Sequence, residues 1–365
     1  MRKRSRVRPT IEDVAAKAGL SVSTVSLVLN NRSNVSKETR RRIQSVIADL
    51  NYHPQRSARG LASRSSGNIG FILTSEHFSL AEPFYTRIFL GSEFEARKHN
   101  YYILLTTVDR SVSGTKELPR FFLEHNVDGI IIAGKIGSSW IEHVRQHDLP
   151  LILIDYEFPS HHVSSVMMDN VGGARLVVEH LLKLGHSKIG FIGGDAKHPS
   201  IAARFKTYCD TLTEHGIEVN EQWVNVDEVG TGFENGYLAA QKILNVHALK
   251  PTAVFAANDA MALGCMKYCN ETGVSVPGSL ALVGFDNVES GLHVEPRLTT
   301  VNVHREAMGS VAVRRLVEMI NENGHVVDKT TTPVELIVRE SCGGRWLVQQ
   351  SPQIDASAGT PVAVS

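Results

Sequence analysis

Apolar residues along this chain follow two rules, and the rule changes near residue 67. Before it, they recur at helical spacing: Val14, Ala15 and Ala18; then Val25, Val28 and Leu29; then Ile43, Val46, Ile47 and Leu50. Three short helices are the prediction. Thr10 three residues before Asp13 is the looser form of a capping box, and Gly19 supplies the left-handed residue that ends the first helix. Ser21 and Ser36 are caps for the second and third helices. Helix, Gly-containing turn, helix is the helix-turn-helix pattern. In the second helix, which runs to about Asn30, the outward positions Val22, Ser23, Ser26, Leu27 and Asn30 are short and uncharged. That suits an element entering a major groove; a small bundle with a solvated basic face is the bland alternative.

After residue 67, short continuous apolar runs alternate with helical stretches. The runs are Ile69–Thr74, Ile103–Thr107, Gly129–Ala133, Leu151–Asp155, Lys188–Gly193, Val224–Asp227, Ala253–Ala256 and Leu280–Phe285. Unbroken Ile/Val/Leu runs between helices indicate parallel strands covered on both faces. The body is therefore read as α/β, doubly wound, in two Rossmann-like halves. Ligands in such folds bind beyond the carboxyl ends of strands, which draws attention to Thr74, Asp155, Asp227, Asn258 and Asp286.

The 365 residues hold 38 basic and 38 acidic side chains, and zero net charge argues against nucleic acid. The sum conceals a split: residues 1–66 carry 14 Lys and Arg against 4 Asp and Glu, a net of +10, and the remainder carries a net of −10. A basic head on an acidic body implies two kinds of work. The length allows two or three domains. No apolar run reaches the roughly 18 residues of a membrane span, and the basic N-terminus leads into no apolar h-region, so the expectation is a cytoplasmic protein without a signal peptide. Cys209, Cys265, Cys269 and Cys342 are too scattered for a disulfide framework. Cys265 and Cys269 share a helix face, where core packing outweighs a metal site.

Several stretches together resemble the lactose/galactose repressor (LacI/GalR) family. In the head they are TIEDVAAKAGLS (10–21), STVS (23–26), VSKETR (35–40), LNYHP (50–54) and SARGLAS (57–63). The resemblance implies a DNA-binding headpiece over 1–54 and a hinge helix over 55–66 that folds on operator DNA. Leu61 matches the family's minor-groove wedge, and Ala58 lies beside it. A lone segment of about eight residues holds no stable helix in water, whereas a leucine inserted between base pairs kinks the duplex and is buried. Val22, Ser23 and Leu27 match base-facing positions. Leu27 stands where many members carry an arginine; it can touch a thymine methyl but cannot grip guanine. Ser21, Thr24, Ser26, Asn30, Asn34 and Tyr52 match positions that hold the DNA backbone.

In the body the resemblance rests on Asp169-Asn170, HLLKLGH (180–186), FIGG (191–194), AAND (256–259), VGFD (283–286), LTTV (298–301) and RESC (339–342). It implies a two-subdomain effector domain over 67–345, like periplasmic sugar-binding proteins. The expected N-subdomain is 67–168 with 299–328, the C-subdomain 169–298 with 330–345, and 346–365 is expected to be a disordered tail. Arg204, Asp286, Asn258 and Phe84 match effector-contacting positions, and Thr74 and Asp155 are further candidates. A guanidinium can hold two hydroxyls or a planar carbonyl at once. Thr231 occupies a slot where many members stack an aromatic on the effector, and Phe233 is the candidate substitute.

The expected protein is thus a transcriptional repressor that binds a near-palindromic double-stranded operator as a homodimer, controlled by a small-molecule effector. A sugar or sugar derivative is expected, with a purine-like corepressor as the alternative. Heptads for a tetramer are missing from the tail. Neither a dinucleotide or Walker phosphate loop at Gly190–Gly194, nor an HExxH, nor a GxSxG elbow is present. An enzyme with a cofactor or metal is therefore not expected. An exported solute-binding protein would leave the basic head without a role.

Overall fold

A computed structural model of the chain describes residues 9–29, 34–52, 65–75, 84–108, 118–158, 163–194, 196–245, 250–322 and 327–344. Asn30, the hinge residues Ala58 and Leu61, and the tail 346–365 lie outside the described residues. The chain divides into two compact units, with the main division between Gly67 and Asn68.

The head holds α1 (Ile11–Ala18), α2 (Val22–Leu29) and α3 (Lys37–Leu50). Thr10 and Asp13 form a reciprocal capping box, and Gly19 at φ 63° lets its N–H reach the carbonyls of Ala15 and Ala16. Val14, Ala15, Ala18, Val25, Val28, Ile43, Val46 and Tyr52 close a small core. Ala15 and Ala18 supply the small side chains where helices meet.

The body contains two parallel sheets. The first is ordered β11-β5-β4-β3-β1-β2 and the second β7-β6-β8-β9. Their strands are β1 (Asn68–Thr74), β2 (Tyr102–Val108), β3 (Gly129–Ala133), β4 (Leu151–Ile154), β5 (Ser164–Met168), β6 (Ile189–Ile192), β7 (Val224–Asn225), β8 (Ala253–Ala256), β9 (Ala281–Val283) and β11 (Lys329–Thr332). The helices are α4 (Phe84–Lys98), α5 (Arg120–Leu123), α6 (Ser138–Gln146), α7 (Asn170–Lys183), α8 (Pro199–Glu214), α9 (Phe233–Asn245), α10 (Asp259–Thr272) and α11 (Arg305–Glu322). Two short strands, β10 (Thr300–Val303) and β12 (Val334–Ile337), pair antiparallel. The order reverses beside β1 in one sheet and beside β6 in the other, so the carboxyl ends of both present switch points where ligands bind.

The subdomain limits differ from the sequence expectation. Residues 299–302 run beside β9 of the second sheet through the bridges Val283↔Thr299 and Asp286↔Asn302, so the return to the first subdomain begins only after Val303. Lys329–Thr332 pairs with β5 at the edge of the first sheet, whereas the sequence expectation puts 330–345 with the second. Its Lys-Thr-Thr-Thr sequence carries no apolar period, because an edge strand has one face in water. β5 escapes the apolar pattern for a related reason: Ser164 and Ser165 are buried, at 5% and 2% exposure, yet are polar. The run Val224–Asp227 shortens to Val224–Asn225, and Leu280–Phe285 to Ala281–Val283. Among the described residues no helix is long and apolar enough to cross a membrane. All four cysteines are free, and Cys265 and Cys269 lie buried in the core around α10.

Candidate functional site

On the head, the exposed face of α2 is short-chained. Val22 and Leu27 are each 40% exposed although apolar, and Ser21 and Ser23 are exposed beside them. Ser21 Oγ accepts from the Thr24 N–H at 3.2 Å, which fixes the helix start. Thr24 and Ser26 are half-buried, and Asn34 is exposed. Tyr52, expected at the DNA backbone, is only 7% exposed, and its ring packs in the head's core.

In the body, a cavity of about 110 Å³ opens between elements of both sheets. Phe84, Tyr85 and Asp155 line it from the first sheet's side, and His198, Ser200, Ile201, Arg204, Thr231, Asn258 and Asp286 from the second's. Five of the residues singled out from the sequence therefore converge: Phe84, Asp155, Arg204, Asn258 and Asp286. Thr74 is not in the lining; it is buried at the end of β1 with its hydroxyl unpartnered. Asp227 is exposed elsewhere. Phe233 is 41% exposed at the start of α9 and does not line the cavity, so it does not replace the aromatic missing at Thr231.

Arg204 is the centre of this site. It projects from α8 and is 3% exposed. Its Nε donates to Asn170 Oδ1 at 2.8 Å, its Nη1 to the Ala257 carbonyl at 2.5 Å and its Nη2 to Met168 Sδ at 3.4 Å. The guanidinium lies 3.6 Å above the Phe285 ring, a favourable placement for a desolvated cation. Five N–H groups set against three bonds leave donors for a ligand. Asp286 Oδ1 stands 3.8 Å from Nη2, too far for a hydrogen bond.

The acids of the site are held differently. Asp155, at φ 56° just past β4, accepts from Tyr85 Oη at 2.8 Å and Ser200 Oγ at 2.7 Å. Burial, and then the neighbouring Asp155, keep the Tyr85 phenol well above its ordinary range, so it remains a donor. Burial pushes Asp286 up to about 8, with Arg204 opposing and Asp259 adding to the rise. Asp259 lies deeper; burial raises it to about 7 against the Thr300 hydroxyl and the Val288 N–H. Asn258 caps α10 by accepting from the Met261 N–H and donates to the Thr231 carbonyl, so its amide also ties two loops together. Tyr85, His198, Ser200 and Ile201 were missed from the sequence. Two signals existed: Tyr85 follows Phe84, and Ser200 opens the helix that carries Arg204.

A helix-turn-helix head on a body of two parallel sheets around a polar cavity defines a ligand-responsive DNA-binding regulator. Residues 10–55 match the bacterial regulatory proteins of the lacI family, and 178–342 match the periplasmic binding protein-like domain. The chain is 31% identical over 341 residues to the HTH-type transcriptional repressor PurR of Pasteurella multocida (strain Pm70), covering 92% of this chain and 99% of that protein. It is 32% identical to catabolite control protein A of Priestia megaterium, covering 86% and 93%. Among solved structures it resembles the lac repressor dimer bound to operator and the anti-inducer ONPF, with 29% identity, 92% and 99% coverage and a TM-score of 0.76. It also resembles the transcriptional regulator CelR–cellobiose complex, with 29% identity, 92% and 100% coverage and a TM-score of 0.70. The chain belongs to the lacI family of bacterial regulatory proteins, and its relatives are transcriptional regulators rather than enzymes.

Proposed function

We propose that this protein is a cytoplasmic repressor, without enzymatic activity, whose grip on its operator is set by a neutral sugar or sugar derivative held between Arg204 and Asp286. The supporting observation is the pairing of those two groups across one cavity, with donors left on the guanidinium and an acceptor on the carboxyl. Adjacent hydroxyls can serve both at once. Arg204 is the one lysine or arginine among the described lining residues, set against Asp155 and Asp286. A lining with a single cation disfavours an anionic effector.

In this reading Val22, Ser23 and Leu27 face the bases, and Ser21, Thr24, Ser26, Asn30 and Asn34 hold the DNA backbone, while the buried Tyr52 ring packs in the head's core instead. Ala58 and Leu61 lie in a hinge over 55–66 that meets the minor groove. A homodimer places two recognition helices in successive major grooves. An effector that prefers one closure state of the cavity shifts the first subdomains and with them the hinge.

A thermal-shift screen of the full chain tests the reading. D-glucose, D-galactose, D-xylose and D-ribose are compared with sugar phosphates, adenine and guanine. A sugar present at 100 times its Kd stabilises the native state by about 2.7 kcal/mol. The expected result is a raised midpoint with a neutral sugar, lost in Arg204→Ala. A shift produced by purines alone would replace the sugar assignment.

A further inference from the structure

The cavity's aspartate stands on unusual backbone. Asp286 has φ 115° and Asn287 has φ 55°, so two consecutive residues with side chains occupy the left-handed half of conformational space. Such a pair persists only where its surroundings over-determine it. Asn287 supplies that constraint from every side. Its N–H donates to Thr300 Oγ1 at 3.2 Å and its Nδ2 to Asn302 Oδ1 at 3.0 Å. Its Oδ1 accepts from Arg339 Nη2 at 2.5 Å and its carbonyl from Arg305 Nη2 at 3.0 Å. Arg339 is 8% exposed and is anchored in turn on the Leu298 carbonyl at 2.7 Å. The Asp286 N–H donates to the Val301 carbonyl at 2.8 Å. With its backbone fixed in this way, the Asp286 carboxyl is directed to the cavity and to Arg204.

We propose that Asn287 is the positioning residue of the effector site. It does not line the cavity; its side-chain amide, clamped between Asn302 and Arg339, fixes where the Asp286 carboxyl sits relative to Arg204. This rests on the reading of the cavity as the effector site. The competing explanation is local: asparagine tolerates φ above zero better than most residues. The two explanations predict opposite results for Asn287→Gly, which accepts that φ at no steric cost but has no amide.

Hydrogen exchange on the unliganded full chain decides the matter without any ligand. If the clamp positions Asp286, Asn287→Gly speeds exchange of the Asp286 N–H by about tenfold or more while distant core amides keep their protection. Asn302→Ala, which removes one of the four bonds and leaves the rest, gives a smaller rise at the same amide. Exchange at Asp286 equal to wild type in both variants overturns the proposal. With a neutral sugar that stabilises the wild type, Asn287→Gly is expected to weaken binding by about tenfold or more while the variant still unfolds cooperatively in urea. Unchanged affinity would also overturn it. If no sugar stabilises the wild type, the effector reading fails, and the exchange result still settles whether Asn287 holds Asp286.

Discussion

At the residue scale, the chemistry of the body reduces to how each charge is kept from water. Burial lowers the Arg204 guanidinium from its ordinary range, opposed first by Asp286, and three of its N–H groups find acceptors in Asn170, Ala257 and Met168 beside the Phe285 face. Asp286 is less well provided: burial raises it to about 8 even with Arg204 nearby. An unfolded aspartate titrates near 3.9, so folding opposes ionisation of Asp286. The unliganded protein loses stability through this group as pH rises from about 4 to about 8, and no further above that. A carboxamide at this position has nothing to ionise, so Asp286→Asn is expected to gain on wild type as pH rises through this window. Melting midpoints of the two proteins at pH 4.5, 6, 7.5 and 9 check it. A constant difference at all four values would show that Asp286 is not held in a desolvated place.

At the element scale, what fixes the first subdomain is the crossing of α4 and α11. A Cβ on Gly91 would stand 2.0 Å from the Glu306 carbonyl, and one on Gly309 2.0 Å from the Ile88 carbonyl. The helices touch backbone to backbone, and neither carbonyl has a rotamer with which to yield. Gly309→Ala is expected to cost about 3 kcal/mol through overpacking, read as a lower urea midpoint at unchanged slope. A loss below about 0.5 kcal/mol would mean that the crossing can slide. Nothing in the sequence distinguishes these glycines from others, because close approach depends on a partner more than 200 residues away. The head was legible for the converse reason. Thr10, Asp13, Gly19 and Ser21 act within a turn or two of themselves, and their structure follows from local rules. The central strands were legible because burial on both faces leaves unbroken apolar runs, as in Gly129–Ala133. The edge strand Lys329–Thr332 and the Ser164–Met168 strand were not, since one faces water and the other buries serines. The candidate site was half legible. Strand ends and family resemblance named Asp155, Arg204 and Asp286, but the Tyr85–Asp155–Ser200 chain joins residues 70 and 45 positions apart, which no local pattern reports.

At the scale of the whole molecule, the charge split makes each unit's partner a matter of electrostatics as well as of motif. The head's +10 neutralises phosphates and releases counterions, whereas the body's −10 is repelled by DNA. DNA affinity should therefore reside in residues 1–66 and effector binding in the remainder. If the head makes six to ten phosphate contacts, operator affinity of the full chain falls by about 10³ to 10⁵ between 50 and 200 mM salt. A protein lacking residues 1–66 is expected to unfold cooperatively, to keep the thermal shift given by the same neutral sugar, and to show no DNA binding even at 50 mM salt. Urea denaturation, the sugar shift and fluorescence anisotropy with labelled duplex measure the three. A truncated body that fails to fold would make the head part of one cooperative unit. A truncated body that still binds duplex would place DNA-binding surface where the charge forbids it, and would remove the reason for reading the sign change near Gly67 as a functional boundary.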